Sequence, residues 1–360
     1  MQTLLSNLVD IPSPEHREKI ETFARYVNVH ETIKAVLSQS VHEAVCAQDG
    51  RIIAVVGGTG VGKSTASLMA HRCVNEYYRN QMEQDPGFIP VITTSLFHPE
   101  DPRSAWRSMY MGIIEEVEPL SAKKQANTNV SAFIQQSQRQ TALALRKAAQ
   151  SIAKNRGVKL LQVDEGQALV AGRGEYQCSV LKSFLNTTRL PCIIYAPYPF
   201  YQAIQEDTQM ARRTTFIHLR PYGTSEAETL VFLKIAQEFL DQLPLPVAPD
   251  FLDEHSQFIL DKSLRCVGVL KGLLESGLIH AYQARARQLR IEHLVKGAKL
   301  EGVLEAMRFD IESGAILFGE KPAPENTGPV VPRQPKYTGR KIGRRNPTRD
   351  GLKNPQRGLV

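Results

Sequence analysis

Residues 51–65 read Arg-Ile-Ile-Ala-Val-Val-Gly-Gly-Thr-Gly-Val-Gly-Lys-Ser-Thr, and this stretch decides the fold. Ile52 to Val56 is a β-rich apolar run, and Gly57 to Ser64 follows it as G-x-x-x-x-G-K-S, the phosphate-binding P-loop. Gly57, Gly58, Gly60 and Gly62, with Thr59 and Val61 between them, let the backbone curl until several N–H groups point at one anion. The helix that follows adds its positive N-terminal end. Lys63 is expected to reach the β- and γ-phosphates, Ser64 to offer its hydroxyl to Mg²⁺, and Thr65 to complete the motif. A glycine-rich turn of no special use would need neither the preceding strand nor the Lys-Ser pair. The stretch therefore predicts binding of a nucleoside triphosphate.

A second landmark lies 101 residues on. Val158–Glu165 (Val-Lys-Leu-Leu-Gln-Val-Asp-Glu) is an apolar run ending in two carboxylates. Coupled to a P-loop, it reads as a Walker B strand, with Asp164 holding Mg²⁺ and Glu165 polarising the attacking water. Strands are also predicted at 51–56, 90–96, 191–196 and 215–219, alternating with helical patterns, which implies a parallel, doubly wound α/β sheet. A helix over about 103–117 puts Trp106, Met109, Tyr110 and Ile113 on one core-facing side; a polar loop is expected from Pro119, then a helix over 131–154. Ser13-Pro14 reads as a helix start and Ser225 with Glu228 as a capping box. Val29 and His30 could wall a base, although an ordinary cap or surface role suits His30 better. The expected organisation is a helical lead-in (1–50), a nucleotide-binding α/β domain (51–222), a helical lid (223–320) and a basic flexible tail (321–360).

At 42% hydrophobic, the 360 residues have ample material for a core. Five scattered cysteines without C-x-x-C spacing argue against disulfide frameworks and zinc sites. No signal peptide or membrane-length apolar run is evident, so a cytoplasmic location is expected. The net charge of +7 is uneven. From Pro329 to Val360 there are nine Lys and Arg against Asp350 alone, so residues 1–328 sum to −1. The basic character belongs to the tail, which is predicted to be disordered by itself and to touch something acidic.

Five strands with these landmarks, the run Met210-Ala211-Arg212-Arg213 before the fifth strand, and Cys266-Val-Gly-Val-Leu-Lys-Gly-Leu-Leu opening a lid helix together resemble an AAA+ ATPase. Within that class the chain resembles the transposition regulators of the TnsC/TniB type, relatives of MuB, over about residues 25–310. The resemblance implies an ATP- and Mg²⁺-dependent homo-oligomer, a ring or filament on double-stranded DNA, in which each nucleotide sits between subunits. It implies an arginine finger, Arg213 first and Arg212 second, and a phosphate-sensing Lys271, with Arg265 as competitor. Where relatives carry a water-orienting Thr or Asn, this chain has Tyr195-Ala196-Pro197-Tyr198. Either Tyr198 substitutes or hydrolysis is slow, as suits a switch.

The resemblance further implies that the tail contacts transposase subunits and that a target-selector protein is a partner. Direct DNA attachment through the nine cations is the other reading of the tail. Lys123, Lys124, Arg139 and Arg103 are the candidate DNA-phosphate contacts. Two rival functions are a replication-initiator or helicase-loader ATPase and a ligand-responsive signalling or defence ATPase. Each would be expected to carry a further domain.

Overall fold

Five short, β-branched runs become strands because each can be covered on both faces. In the computed structural model, β1 (Ile52–Val56), β2 (Val91–Ser95), β3 (Leu160–Asp164), β4 (Cys192–Ala196) and β5 (Thr214–His218) pair in parallel in the order β2-β3-β4-β1-β5. Ile52 lies opposite both Cys192 and Thr214, and Val56 opposite both Ala196 and His218. Residues 13–46, 50–96, 104–122, 141–170 and 174–320 are described. They belong to one unit, Met1–Lys321, and the second unit, Pro322–Val360, lies outside them. The expected tail is therefore outside the described residues, as are Arg103, Lys123, Lys124 and Arg139.

The helices are α1 (Pro14–Arg25), α2 (Glu31–Cys46), α3 (Lys63–Tyr77), α4 (Arg79–Gln84), α5 (Ser104–Ala122), α6 (Ala142–Asn155), α7 (Gly174–Thr188), α8 (Tyr198–Glu206) and α9 (Thr208–Ala211). After β5 come α10 (Glu226–Asp241), α11 (Phe251–Ser263), α12 (Val267–Gln283), α13 (Ile291–Gly297) and α14 (Glu301–Leu317). β1 and β4 are buried at every position, so their sequences are continuously apolar. Their side chains alternate between two layers. Ile52, Ala54, Val56 and Ile194 join Met109 and Ile113 of α5 and Phe184 of α7. Ile53, Val55 and Tyr195 join Ile33 and Leu37 of α2 and Ala66 and Ala70 of α3. A third cluster unites Phe232, Phe239, Leu270, Leu274 and Leu294 of the helices after β5 with Phe23 of α1. The first helix thus packs with the last third of the described chain.

One expected boundary moves. α5 continues to Ala122 past Pro119, where a loop was expected. Ser13 caps α1 as expected, accepting from the His16 N–H at 3.2 Å. The capping box at Ser225 is half formed. Ser225 accepts from the Glu228 N–H at 3.3 Å, but the Glu228 carboxylate turns away to Arg220 and the Gly223 N–H.

Candidate nucleotide site

Parallel strands point all their C-terminal ends to one edge, where ligands of such sheets bind. Gly57 leaves β1 there and Glu165 leaves β3 there, two strands away across β4, a separation of about 10 Å. The buried Gln162 amide ties β3 to the P-loop helix. Its NH₂ donates to the Ser67 carbonyl and the Tyr195 hydroxyl, and its oxygen accepts from the His71 N–H, each at 3.1 Å.

The loop closes only with glycine. Gly62 caps α3 at φ +108°, and Gly60, at φ +81°, has Val269 of α12 so close that a Cβ would sit 2.5 Å from it. Lys63 Nζ folds over the loop and donates to the Gly57 and Gly58 carbonyls at 2.9 and 2.7 Å. Burial pushes the Lys63 ammonium below its ordinary pKa, and the nearby Asp164, Asp310 and Glu165 carboxylates oppose that shift. Ser64 is exposed at the start of α3 and Asp164 half-buried at the end of β3. Glu165 has φ +58°, the left-handed region that costs a non-glycine residue about 1 kcal/mol. The Gln167 amide donates to its carboxylate.

These residues fit a Mg²⁺-bound triphosphate. The donor set, one hydroxyl and one carboxylate, is what Mg²⁺ uses when phosphates complete its shell. The loop already faces an anionic group, the Asp310 carboxylate of α14, whose Oδ2 is 3.3 Å from where a Gly58 Cβ would stand. Sequence reasoning missed Asp310. It is one acid on an amphipathic helix 251 residues beyond Thr59, and nothing local marks it.

Thr65 and Gly62 also line a small cavity of about 50 Å³ with Tyr26, Asn28, His30 and Gly268. His30 is buried there rather than on the surface, and its Nδ1 lies 2.9 Å from the Tyr222 hydroxyl. Its carbonyl does start α2, accepting from the Lys34 N–H at 2.9 Å. Val29 is exposed instead of walling the cavity. Lys271 borders the same cavity, and its ammonium donates to the Ala24 and Tyr26 carbonyls and pairs with Glu275 at 3.8 Å. Arg265 donates to the Gly223 carbonyl at 3.0 Å and the Thr229 hydroxyl at 2.7 Å.

Burial pushes the His30 imidazole down to about 4, from an ordinary value of 6.5. The unfolded chain therefore takes up a proton between about pH 6.5 and 4 that the folded chain refuses, so stability falls as pH falls through that window. The loss attributable to His30 is up to about 3 kcal/mol. Urea midpoints measured from pH 7 to 4.5 should show this slope and a shallower one in His30→Gln. An unchanged slope in the variant would assign the effect to His71, His218 and His293, whose pKa values burial also lowers.

Tyr198, the expected substitute for the water-orienting residue, is buried and engaged. Its ring lies 3.6 Å from where a Gly58 Cβ would stand, and its hydroxyl lies 3.0 Å from His218 Nε2. Arg212 and Arg213 stand at the other end of the sheet. The Arg213 carbonyl accepts from the Ile52 N–H at the start of β1, about 15 Å of strand from the P-loop. The Arg213 guanidinium donates to Asn186 of α7, and Arg212 is exposed. Neither can serve the site on its own chain. Among the described residues, no helix is long and apolar enough to cross a membrane.

Residues 17–224, more than half of the chain, match the family model described as "Bacterial TniB protein". No curated protein matches the sequence. Among solved structures, the Aeropyrum pernix ORC2 protein in ADPNP–ADP complexes is similar with a TM-score of 0.55 at 13% identity, covering 78% of this chain and 71% of that one. Its ADP form gives 0.54 at 13%, covering 76% and 70%. The Aeropyrum pernix ORC1 protein in complex with DNA gives 0.53 at 13%, covering 74% and 63%. At such identities the likeness is one of fold, the AAA+ P-loop fold.

Proposed function

Because the chain belongs to the bacterial TniB protein family, we propose that it is an ATP-hydrolysing, DNA-binding regulator of transposition that links target-site selection to transposase recruitment. The observation that carries this reading is the division of one catalytic set between two edges of the sheet. Lys63, Ser64, Asp164 and Glu165 lie at the C-terminal edge and Arg212–Arg213 at the N-terminal one. A pocket built this way is complete only when a second subunit supplies the arginine, so nucleotide state and assembly are coupled.

Bound ATP with Mg²⁺ supplies the phosphoryl group and the cation that neutralises its oxygens. Toward it, Lys63 would exchange the loop carbonyls for phosphate oxygens, and Ser64 and Asp164 would hold the cation. Glu165 would draw the proton from the attacking water. With the Tyr198 hydroxyl committed to His218, slow hydrolysis suits the site better than a motor's turnover. The segments divide the work in the same reading: residues 1–50 as lead-in, 51–222 as nucleotide-binding core, 223–320 as lid, 321–360 as tail. Lys123, Lys124, Arg139 and Arg103 are the proposed contacts to DNA phosphates, and Pro329–Val360 the segment that meets the transposase. The family match favours this reading over a replication initiator, which the ORC-like fold alone does not support.

Electron microscopy with plain duplex DNA under ATP, a slowly hydrolysed analogue and ADP tests it. Rings or filaments are expected with the triphosphates and their loss with ADP. Absence of DNA-bound oligomers under every nucleotide would overturn the reading. Deleting residues 329–360 should abolish transposase recruitment and leave those assemblies intact. A collapse of DNA affinity would instead assign the tail to DNA.

A further inference from the structure

The C-terminal helix α14 lies against the P-loop at two fastenings. At the first, the Asp310 carboxylate faces the loop, with its Oδ2 3.3 Å from where a Gly58 Cβ would stand and Ile311 beside it at 3.4 Å. At the second, the Tyr198 ring lies 3.6 Å from where a Gly58 Cβ would stand, its hydroxyl pairs with His218 Nε2 at 3.0 Å, and His218 Nδ1 meets Glu320, just beyond α14, at 2.6 Å. Phe318 stacks on the His218 ring at 4.2 Å. Gly314 makes the close approach possible. A Cβ there would fall 1.9 Å from the Tyr198 ring, so the helix lies flat on it only as glycine.

An anion-binding loop is thus covered at Gly58 by two of this chain's own groups, and one of them is a carboxylate. We propose that α14 is an occlusion of the P-loop, in which Asp310 holds the place of a phosphate and the helix must lift before a triphosphate seats. The inference rests on the nucleotide-site reading above. Its physical content is a competition. The loop's donors and Lys63 attract one anion, and the chain's carboxylate and an incoming phosphate cannot both have them. The apparent affinity for nucleotide is reduced by the fraction of molecules with the helix seated. Asp310 lies beyond residues 17–224, the part matched by the family model, so the occlusion belongs to the following helical segment.

The test titrates the full chain with a fluorescent N-methylanthraniloyl-ATP in Mg²⁺. Asp310→Asn keeps the side chain's size and removes its charge, and is expected to tighten binding about tenfold. Gly314→Ala acts from outside the nucleotide site by displacing the helix from Tyr198, and is expected to tighten it in the same direction. Hydrogen exchange on the wild-type chain needs no variant: amides of residues 301–317 should exchange faster once nucleotide is bound. Slower exchange there on binding, or an Asp310→Asn variant with unchanged or weaker affinity, overturns the occlusion. Lys63→Ala is titrated beside them. If it binds as tightly as wild type, the nucleotide-site reading has failed. If it loses binding while Asp310→Asn gains nothing, only the occlusion has.

Discussion

Replacing Lys63 with alanine is expected to lower nucleotide affinity by several hundredfold while leaving the fold intact. The ammonium donates to the Gly57 and Gly58 carbonyls. Those are loop groups that solvent can reach once the side chain is gone, so the cost to stability should stay within about 1.5 kcal/mol. Toward a triphosphate the same ammonium makes charge-assisted contacts worth about 1.5–3 kcal/mol each. Two of them give about 3–6 kcal/mol, and the lower part of that range, about 3.5–4 kcal/mol, corresponds to the expected loss once the loop hydrogen bonds given up are subtracted. Burial already lowers the Lys63 pKa, so the site keeps its cation in a desolvated place where an anionic ligand is the stabilising partner. Titration with a fluorescent nucleotide, with a thermal melt as the folding control, decides it. An affinity within threefold of wild type would remove Lys63 from the site.

Arg213→Ala should behave in the opposite way, sparing nucleotide binding to the isolated chain and reducing turnover of the assembled protein by about 10³-fold. Arg213 sits beside Ile52 at the foot of β1, whereas Lys63 follows its head, so the guanidinium can reach a phosphate only across a subunit boundary. This geometry predicts complementation. Mixing Arg213→Ala with Glu165→Gln should restore part of the activity that each lacks alone. The second variant still offers its arginine, and the first still offers a complete Walker B pair. Arg213→Ala alone at wild-type rates would pass the role to Arg212. A mixture at background would show that the two residues do not meet across an interface.

The site was legible unevenly, for a reason visible in particular residues. Lys63 and Ser64 are held by a loop whose conformation its own glycines dictate, and Asp164 by a strand whose apolar run demands burial, so a dozen consecutive letters suffice for each. His30 gave no such sign. Its burial comes from Tyr222, 192 residues away, and a histidine before a helix reads as a cap until that tyrosine is in place. The partners of Lys271 left no sign either, because the carbonyls that take its ammonium belong to Ala24 and Tyr26 at the far end of the chain. Pro119 inside α5 shows the reverse case, where the surrounding helix overrides a local breaker.

The sequence by itself determined that five apolar runs would stack as a parallel sheet and that a phosphate-binding loop would follow the first, because hydrophobic periodicity and glycine placement act over a few residues. Only the tertiary structure decided that the arginines face away from their own pocket, that α1 packs with the helices after β5, and that Asp310 lies on the P-loop. Each of these is set by which surfaces meet when distant segments are brought together, and a contact across 251 residues leaves no trace in the local pattern at either end.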